Sequence, residues 1–359
     1  MDLGRQTKAA QLAEKLHGEL LAERLPAGSP VMSARELAQK FSISTVTANR
    51  ILNRLVESDV LYRVPQSGTF VKHDPPAIPV IAYAGVLPSP ASNDPIKNAA
   101  AAQLQESFTS LGIEPRILSY HTLSHRALAK RELQGTNGLL LDAAFIDPET
   151  TKLLWEYPGP IVTFNNFYIV EELACCQVIP DFTKPMLEFH RIYGFDSYDR
   201  ILLVEATHRN AKATAAQLRH ILTGIGIPED RIESVKISAQ GPIQPCLKAF
   251  RYFSDYDRPL ENTLILSLSD FFAQGIREAC SGKSMPDILS FDNLESYQKQ
   301  DEKPFFTSID RRLGQIECKA LELLMKQIQQ PDDEFPIIRI PARLVLRRSV
   351  RKTGRKGER

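Results

Sequence analysis

The sequence holds little of what marks a secreted, membrane-bound or catalytic chain. Its cysteines number only five among 359 residues (Cys175, Cys176, Cys246, Cys280, Cys318). The set is odd and has no C-x-x-C spacing, so it offers neither a disulfide framework nor a zinc ribbon and points to a reducing compartment. The vicinal Cys175-Cys176 pair reads as two small strand residues rather than a redox couple. No apolar run approaches the ~20 residues that span a bilayer, and the N-terminus is polar and charged, unlike a leader peptide. A soluble, cytoplasmic protein with no membrane association is expected. Charge of one sign is missing too: 44 Lys and Arg stand against 43 Asp and Glu, so bulk attraction to nucleic acid is excluded for the chain as a whole.

Enzyme signatures are equally scarce. Gly282-Lys283-Ser284 lacks the glycine of a phosphate loop, because Arg277 stands five positions before Gly282. His121 and His125 have metal-like spacing but neither the glutamate of H-E-x-x-H nor a third ligand. Gly224-x-Gly226 has no third glycine and follows no strand, and no G-x-S-x-G elbow occurs. No catalytic residue, cofactor or metal ligand is expected, and the protein is not expected to be an enzyme.

What is present is concentrated in residues 25–71. Ser33 followed by Glu36 is a capping box opening a helix from Ala34 to Lys40. A turn of a few residues (Phe41, Ser42, Ile43) leads to a second start at Ser44/Thr45. Ala48, Ile51, Leu52 and Leu55 then recur at i, i+3, i+4 and i+7 and make one buried stripe. Val46, Asn49, Arg50 and Asn53 fall on the opposite side. Leu61–Val64 and Thr69–Val71, joined by Pro-Gln-Ser-Gly, read as a hairpin. Thr7–Leu25 supplies a preceding amphipathic helix with Leu12, Leu16, Leu20 and Leu21 inward. Together these predict a winged helix-turn-helix, whose second helix carries small polar side chains suited to the major groove. Locally Arg35, Lys40, Arg50, Arg54, Arg63 and Lys72 outnumber Glu36, Glu57 and Asp59.

Residues 6–72 resemble the DNA-binding domain of GntR-type bacterial regulators, through Leu25, Pro26, Gly28, Ser33, Arg35, Glu36, Leu37, Ala38, Ser44, Thr47, Gly68, Thr69, Phe70 and Val71. Thr45 and Asn49 replace arginines of that family's recognition helix, and Gln66 replaces its first wing glycine. The resemblance implies DNA contacts from Arg35, Ser44, Thr45, Val46, Thr47, Asn49, Arg50 and Gly68. Arg35 acts in this reading as a phosphate clamp, Thr45 and Val46 meet thymine methyls, and Asn49 pairs with adenine. The altered arginine positions imply an unusual operator.

Past a Pro-rich, stiff linker the texture changes to apolar strands alternating with amphipathic helices. Strands are expected at 80–86, 116–120, 138–142, 160–164, 201–205, 233–237, 263–267 and 288–292. Helices are expected at 95–111, 183–193, 211–225, 242–253, 271–279 and 313–329. Such alternation predicts parallel sheets covered on both faces, here as two half-domains split near residue 178 with a cleft at the strand carboxyl ends. The expected fold class is α/β with an N-terminal winged helix-turn-helix. Its expected domains are 1–74, a linker at 75–79, a bilobal domain at 80–350 and a basic disordered tail at 351–359.

Residues 78–350 resemble, more weakly, the effector domain of LacI/GalR regulators, which is related to periplasmic sugar-binding proteins. The resemblance rests on Ser269–Gly275, Leu289–Asn293, Phe306–Asp310, Ile340–Ser349, Val178 with Asp181, and Pro160–Val162; Ser290 stands where the family has glycine. It implies a polyol pocket contacted by Asp270, Asn165, Arg209 or Lys212, Phe271 and, more remotely, Asn93 and Asp292, with Phe167 and Tyr168 as further stacking candidates. Asp270 has a second reading as the N-cap of its helix. The combination resembles the arabinose-repressor architecture. The function this implies is a regulator, expected to be a repressor, that binds double-stranded operator DNA as a homodimer under control of a sugar or sugar derivative. The alternative is a cytoplasmic sugar-binding protein whose N-terminal helices mediate protein contacts.

Overall fold

The computed structural model describes residues 8–351 apart from 24, 74–77, 86–93, 240–242, 283, 298–302 and 332–333. The linker expectation and Asn93 therefore lie largely or wholly outside the described residues, as does the tail beyond Arg351. The chain divides into two compact units, residues 1–78 with 109–113 and residues 79–108 with 114–359.

In the first unit α1 (Lys8–Glu23), α2 (Ala34–Lys40) and α3 (Thr45–Glu57) precede a hairpin of β1 (Leu61–Val64) and β2 (Gly68–Val71). The stripe Ala48, Ile51, Leu52 and Leu55 is buried against Leu16, Leu20, Leu37, Leu61 and Val71. Both caps form as the sequence predicts. Ser33 N donates to Glu36 Oε2 at 2.8 Å while Glu36 N donates to Ser33 Oγ at 3.3 Å. Thr47 N donates to Ser44 Oγ at 3.1 Å. Before α2 the chain runs beside β2, with Val31 N donating to Thr69 O and Val71 N to Ser29 O. No periodicity announces this third edge of the wing.

Gln66 takes a left-handed backbone, φ +64°, at the position where the related pattern carries glycine. A Cβ there costs about 1–2 kcal/mol, partly offset by the extra freedom glycine has when unfolded. Gln66→Gly is therefore expected to stabilise the wing by ~0.5 kcal/mol, slowing amide hydrogen exchange across residues 61–71 two- to three-fold. Faster or unchanged exchange would show that residue 66 stores no strain.

The second unit is two-lobed. Its first part runs β3 (Ile81–Ala84), α4 (Pro95–Ser110), β4 (Arg116–Ile117), α5 (Tyr120–Ser124), α6 (Arg126–Leu133), β5 (Gly138–Asp142), α7 (Pro148–Leu154), β6 (Ile161–Phe164) and β7 (Cys176–Asp181). The chain then crosses into α8 (Thr183–Tyr193), β8 (Arg200–Ala206), α9 (Arg209–Gly224), β9 (Ile232–Ile237), α10 (Ile243–Ser254), β10 (Thr263–Ser267), α11 (Asp270–Ala279), β11 (Asp287–Phe291) and β12 (Thr307–Asp310). It returns through α12 (Leu313–Gln329) and β13 (Ile337–Pro341), and crosses once more to β14 (Arg343–Val345). One sheet has the order β4-β3-β5-β6-β7-β13 and the other β9-β8-β10-β11-β12-β14. All pairings are parallel except β12 with β14. Strand order reverses between β3 and β5 and between β8 and β10, the places where doubly wound sheets open a crevice.

The single split expected near 178 is thus replaced by three crossings, after Asp181, Asp310 and Pro341. The reason lies in α12, which packs on β5, β6 and β7, and in β13, which extends the first sheet beside β7. Both close the first lobe although they follow the second in sequence.

Two helices start one or two residues before the apolar pattern does, because polar caps set their ends. His208 caps α9 and Ser269 caps α11. The strand expected at 116–120 stops at Ile117, since Ser119 caps α5. Cys175 and Cys176 are both buried, and burial pushes the Cys175 thiol up to about 12, which leaves no thiolate for exchange chemistry near neutrality. Arg351, placed by sequence in a loose tail, donates to Asp287 Oδ1 at 3.0 Å and to Met285 O at 2.6 Å.

Candidate functional site

In the first unit the side chains singled out by sequence gather on two neighbouring elements. Thr45, Val46 and Arg50 are exposed on α3, and Arg35 is exposed on α2. Val46 leaves 64% of its surface in solvent, an apolar group left outside although Ile51 and Leu52 one turn on are sealed. Thr47 is half-buried and its hydroxyl lies 2.9 Å from that of Ser44, so these two serve the helix start. Asn49 is half-buried, and its Oδ1 accepts from Arg63 Nη2 at 3.2 Å. That bond ties α3 to the wing strand β1. Arg63 was counted in sequence only as part of a basic excess, because nothing in its spacing shows that it reaches α3. Gly68 is exposed in the wing at φ +128°.

In the second unit, polar groups converge on the carboxyl ends of the strands. At the end of β5, Asp142 is buried and accepts from Ala144 N at 2.8 Å and from Asn165 Nδ2 at 3.1 Å to each oxygen. Burial raises its pKa against those donors. Asn165, at φ +58° after β6, also engages the other lobe, its carbonyl accepting from Asn210 Nδ2 of α9 at 2.9 Å. Gln217 Nε2 donates to Phe167 O at 2.6 Å. Arg209 continues this seam. Its guanidinium lies 3.8 Å from the centroid of the Tyr168 ring and donates to Glu172 Oε1 at 2.6 Å. Arg209 is thus turned to the loop after β6, while Lys212 is exposed on α9.

Asp270 is completely buried. Its carboxylate accepts from the Ser290 hydroxyl, from Ser308 Oγ at 3.2 Å and from Leu294 N. Ser290, the departure from the family's glycine, thereby becomes a partner of Asp270. Ser269 and not Asp270 caps α11, accepting from Phe271 N at 3.3 Å. Phe271 is partly buried. Burial raises the Asp270 pKa to about 7.

Two further groups were missed by sequence. Arg311, just after β12, packs its guanidinium 4.7 Å from the centroid of Phe167 and pairs with Asp292. Burial lowers it to about 10, with Asp94 and Asp270 opposing. Its Nε has no hydrogen-bond partner. Glu317 on α12 has a buried, unpartnered Oε2, and burial and Asp142 raise its pKa to about 8, with Lys97 opposing. Neither sits in a motif: one follows an Ile-Asp pair, and the other reads as an ordinary charge on a helix. Among the described residues no three His, Cys, Asp or Glu side chains are arranged to hold a metal, and no helix is long and apolar enough to cross a membrane.

The structure is therefore a winged helix-turn-helix unit joined in one chain to a two-lobed, doubly wound unit of the periplasmic-binding-protein type. Residues 8–71 match the family model described as bacterial regulatory proteins, gntR family, which makes the first unit a GntR-type helix-turn-helix domain. The second unit has the fold of LacI-family regulators. A LacI family transcriptional regulator from Enterococcus faecium with bound ribose is 17% identical, with a TM-score of 0.57 over 77% of this chain and 100% of that one. One from Weissella paramesenteroides with bound glucose is 17% identical, with a TM-score of 0.57 over 76% of this chain and 98% of that one. A periplasmic binding ribose operon repressor protein from Lactobacillus acidophilus is 15% identical, with a TM-score of 0.52 over 77% of this chain and 98% of that one. No curated protein sequence matches the chain.

Proposed function

We propose that the protein is a transcription regulator, a repressor, that reads operator DNA through α3 and the wing and is controlled by a small carbohydrate held between its lobes. The observation carrying the reading is the exposed face of α3. A helix tightly packed on one side presents Thr45, Val46 and Arg50 outward, with Asn49 bridged to the wing, in a unit matching the gntR family. Small polar groups, a methyl-bearing side chain and an arginine are what major-groove edges recognise. Arg35 supplies a phosphate contact. One such unit reads few bases, so the protein acts as a homodimer on a two-fold operator.

In the second unit Asn165, held by Asp142, together with Arg311 and Glu317 offers the mixture of donors and acceptors that neighbouring hydroxyls require. Phe167 supplies an apolar face beside them, and regulators of the same fold have been solved with ribose and glucose. Asp270 supports the cleft floor from beneath, and Arg209 latches the lobes. The effector is a sugar or sugar derivative, in an arabinose-repressor-like arrangement, and works in the cytoplasm by changing the lobe angle.

Fluorescence anisotropy on DNA from the protein's own upstream region tests this. Arg35→Ala is expected to weaken binding on every sequence and to flatten the dependence of log K on log salt by about 0.9. Asn49→Ala is expected to cost about 1–3 kcal/mol at one base position only. Binding that shows no salt-sensitive signal up to roughly micromolar protein, the range of non-specific association, would sink the DNA reading. Thermal shifts against pentoses, hexoses and uronic acids test the effector.

A further inference from the structure

A cavity of about 210 Å³ opens beside two of the three crossings, lined by Arg312, Arg343, Gln103, Gln315, Tyr297 and Asp310 among others. Its lining includes none of the residues assigned above to the effector. Its lining is rich in donors. Among the described residues Arg312 makes one guanidinium bond, to Pro341 O at 3.3 Å, out of the five donors the group carries. The backbone contributes as well. The residue before α12, Arg312 at φ +58°, provides no side-chain cap. Gln315 N and Ile316 N both return to Arg312 O, and the amides of Leu313 and Gly314 have no partner among the described residues. Gly314 lets α4 come close, since a Cβ there would lie 1.9 Å from Gln103 Oε1. That brings the Gln103 carboxamide to the helix start, its oxygen nearest and its Nε2 3.3 Å from the same point.

Asp310, the single acidic group among the described lining residues, does not cancel this surplus. Its Oδ1 already accepts from Arg312 N at 2.8 Å, and its Oδ2 accepts from Arg343 Nη2 at 3.0 Å and Asn293 Nδ2 at 3.3 Å. Among the described lining residues two guanidinium groups stand against one occupied carboxylate, a net positive set. Unpaired amides at the start of a long helix add partial positive charge in the same place. Arginine is the side chain whose planar fork suits bidentate oxyanions.

We infer that this cavity is a second ligand site, for a compact oxyanion such as a phosphate monoester or a carboxylate, separate from the effector cleft. Arg312 and Arg343 lie on the crossings after Asp310 and Pro341, and Gln103 lies on α4 of the first lobe. An anion gripping all three bridges both lobes at their pivot. The inference stands on the second unit alone and does not depend on DNA binding.

Isothermal titration of the full chain with inorganic phosphate, then with acetate, at fixed ionic strength tests it. Saturable phosphate binding is expected. Arg312→Gln and Arg343→Gln should each weaken it at least tenfold, or about 1.4 kcal/mol. Gln103→Glu, which places a carboxylate at an exposed helix position facing the cavity, should do the same without touching the crossings. Asn165→Ala in the cleft should leave binding unchanged. Acetate binding to the same residues brings carboxylates into the ligand class, and phosphate alone restricts it to phosphate esters. Absence of saturable binding by either anion overturns the inference. So does wild-type affinity in the arginine variants, or equal loss in Asn165→Ala.

Discussion

Gly275→Ala is expected to lower the stability of the second unit by about 3 kcal/mol, a fall of roughly 6–12 °C in Tm. In the middle of a helix this exchange normally stabilises, by up to ~1 kcal/mol. Here geometry reverses the sign. A Cβ on Gly275 would lie 2.1 Å from Cys246 O and 2.9 Å from Phe250 N. Both atoms are backbone of α10, so no rotamer change relieves the overlap and the two helices must separate. That separation loosens Phe253, Phe272 and Ile276 in the core beneath. Gly224→Ala is the internal control. It lies at the end of α9 with nothing within 4 Å of its notional Cβ, and a gain of ~0.5–1 kcal/mol is expected there. Urea unfolding of the two variants should move in opposite directions. Wild-type stability in Gly275→Ala would mean that the helices are not in backbone contact.

Asp270→Ala is expected to cost about 3–4 kcal/mol at pH 5, because it leaves the Leu294 amide without its acceptor, reduces the Ser290 and Ser308 hydroxyls to their bond with each other, and leaves a hole. The cost depends on pH in a defined sense. Burial holds the folded carboxyl at about 7, above its ordinary value near 3.9 in an unfolded chain. A raised value means that the folded form binds the proton more tightly. That stabilising contribution is complete below pH ~4 and is lost as pH rises through about 7. Between pH 5 and pH 8 the wild type sheds roughly 2–3 kcal/mol of it, so the gap between wild type and Asp270→Ala narrows. Unfolding curves at pH 5 and pH 8 give the comparison, and a gap of constant size would show that Asp270 is ionised throughout. Asp270 is a strut beneath the carboxyl ends of the second sheet, tying the start of α11 to β11 and β12, and Ser290 is one of the partners that make it so.

The sequence showed most where one physical rule acts alone. The capping box at Ser33, the i, i+3, i+4 stripe from Ala48 and the apolar run Gly138–Asp142 each decided an element almost to the residue. The same holds for α8 and α12, whose predicted limits coincide with the observed ones. Strand β7 was harder to see because Gln177 and Pro180 interrupt its apolar character. Gln177 is buried only because its amide is satisfied by Val170 and Asn166. Pro180 is tolerated because the pairing of β7 with β6 covers only Cys176 and Gln177. The outward face of α3, with Thr45, Val46 and Arg50 exposed, was legible from helical spacing. The cleft was less so. Asp270 keeps the family's position yet is sealed by Ser290, and Arg311 and Glu317 acquire meaning only from segments far away in sequence.

The threading of the lobes also has a consequence for synthesis. While the chain emerges, β7 lacks β13 as its neighbour and β5, β6 and β7 lack α12 as their cover until residues beyond 313 appear. At ~5–20 residues per second, a ribosome leaves that apolar face uncovered for roughly ten seconds or more. The second lobe up to β12 can meanwhile form its own core. The first sheet, although begun earlier, is covered only when α12 and β13 appear, shortly before β14 completes the second sheet, and during that interval it is the surface a chaperone would meet.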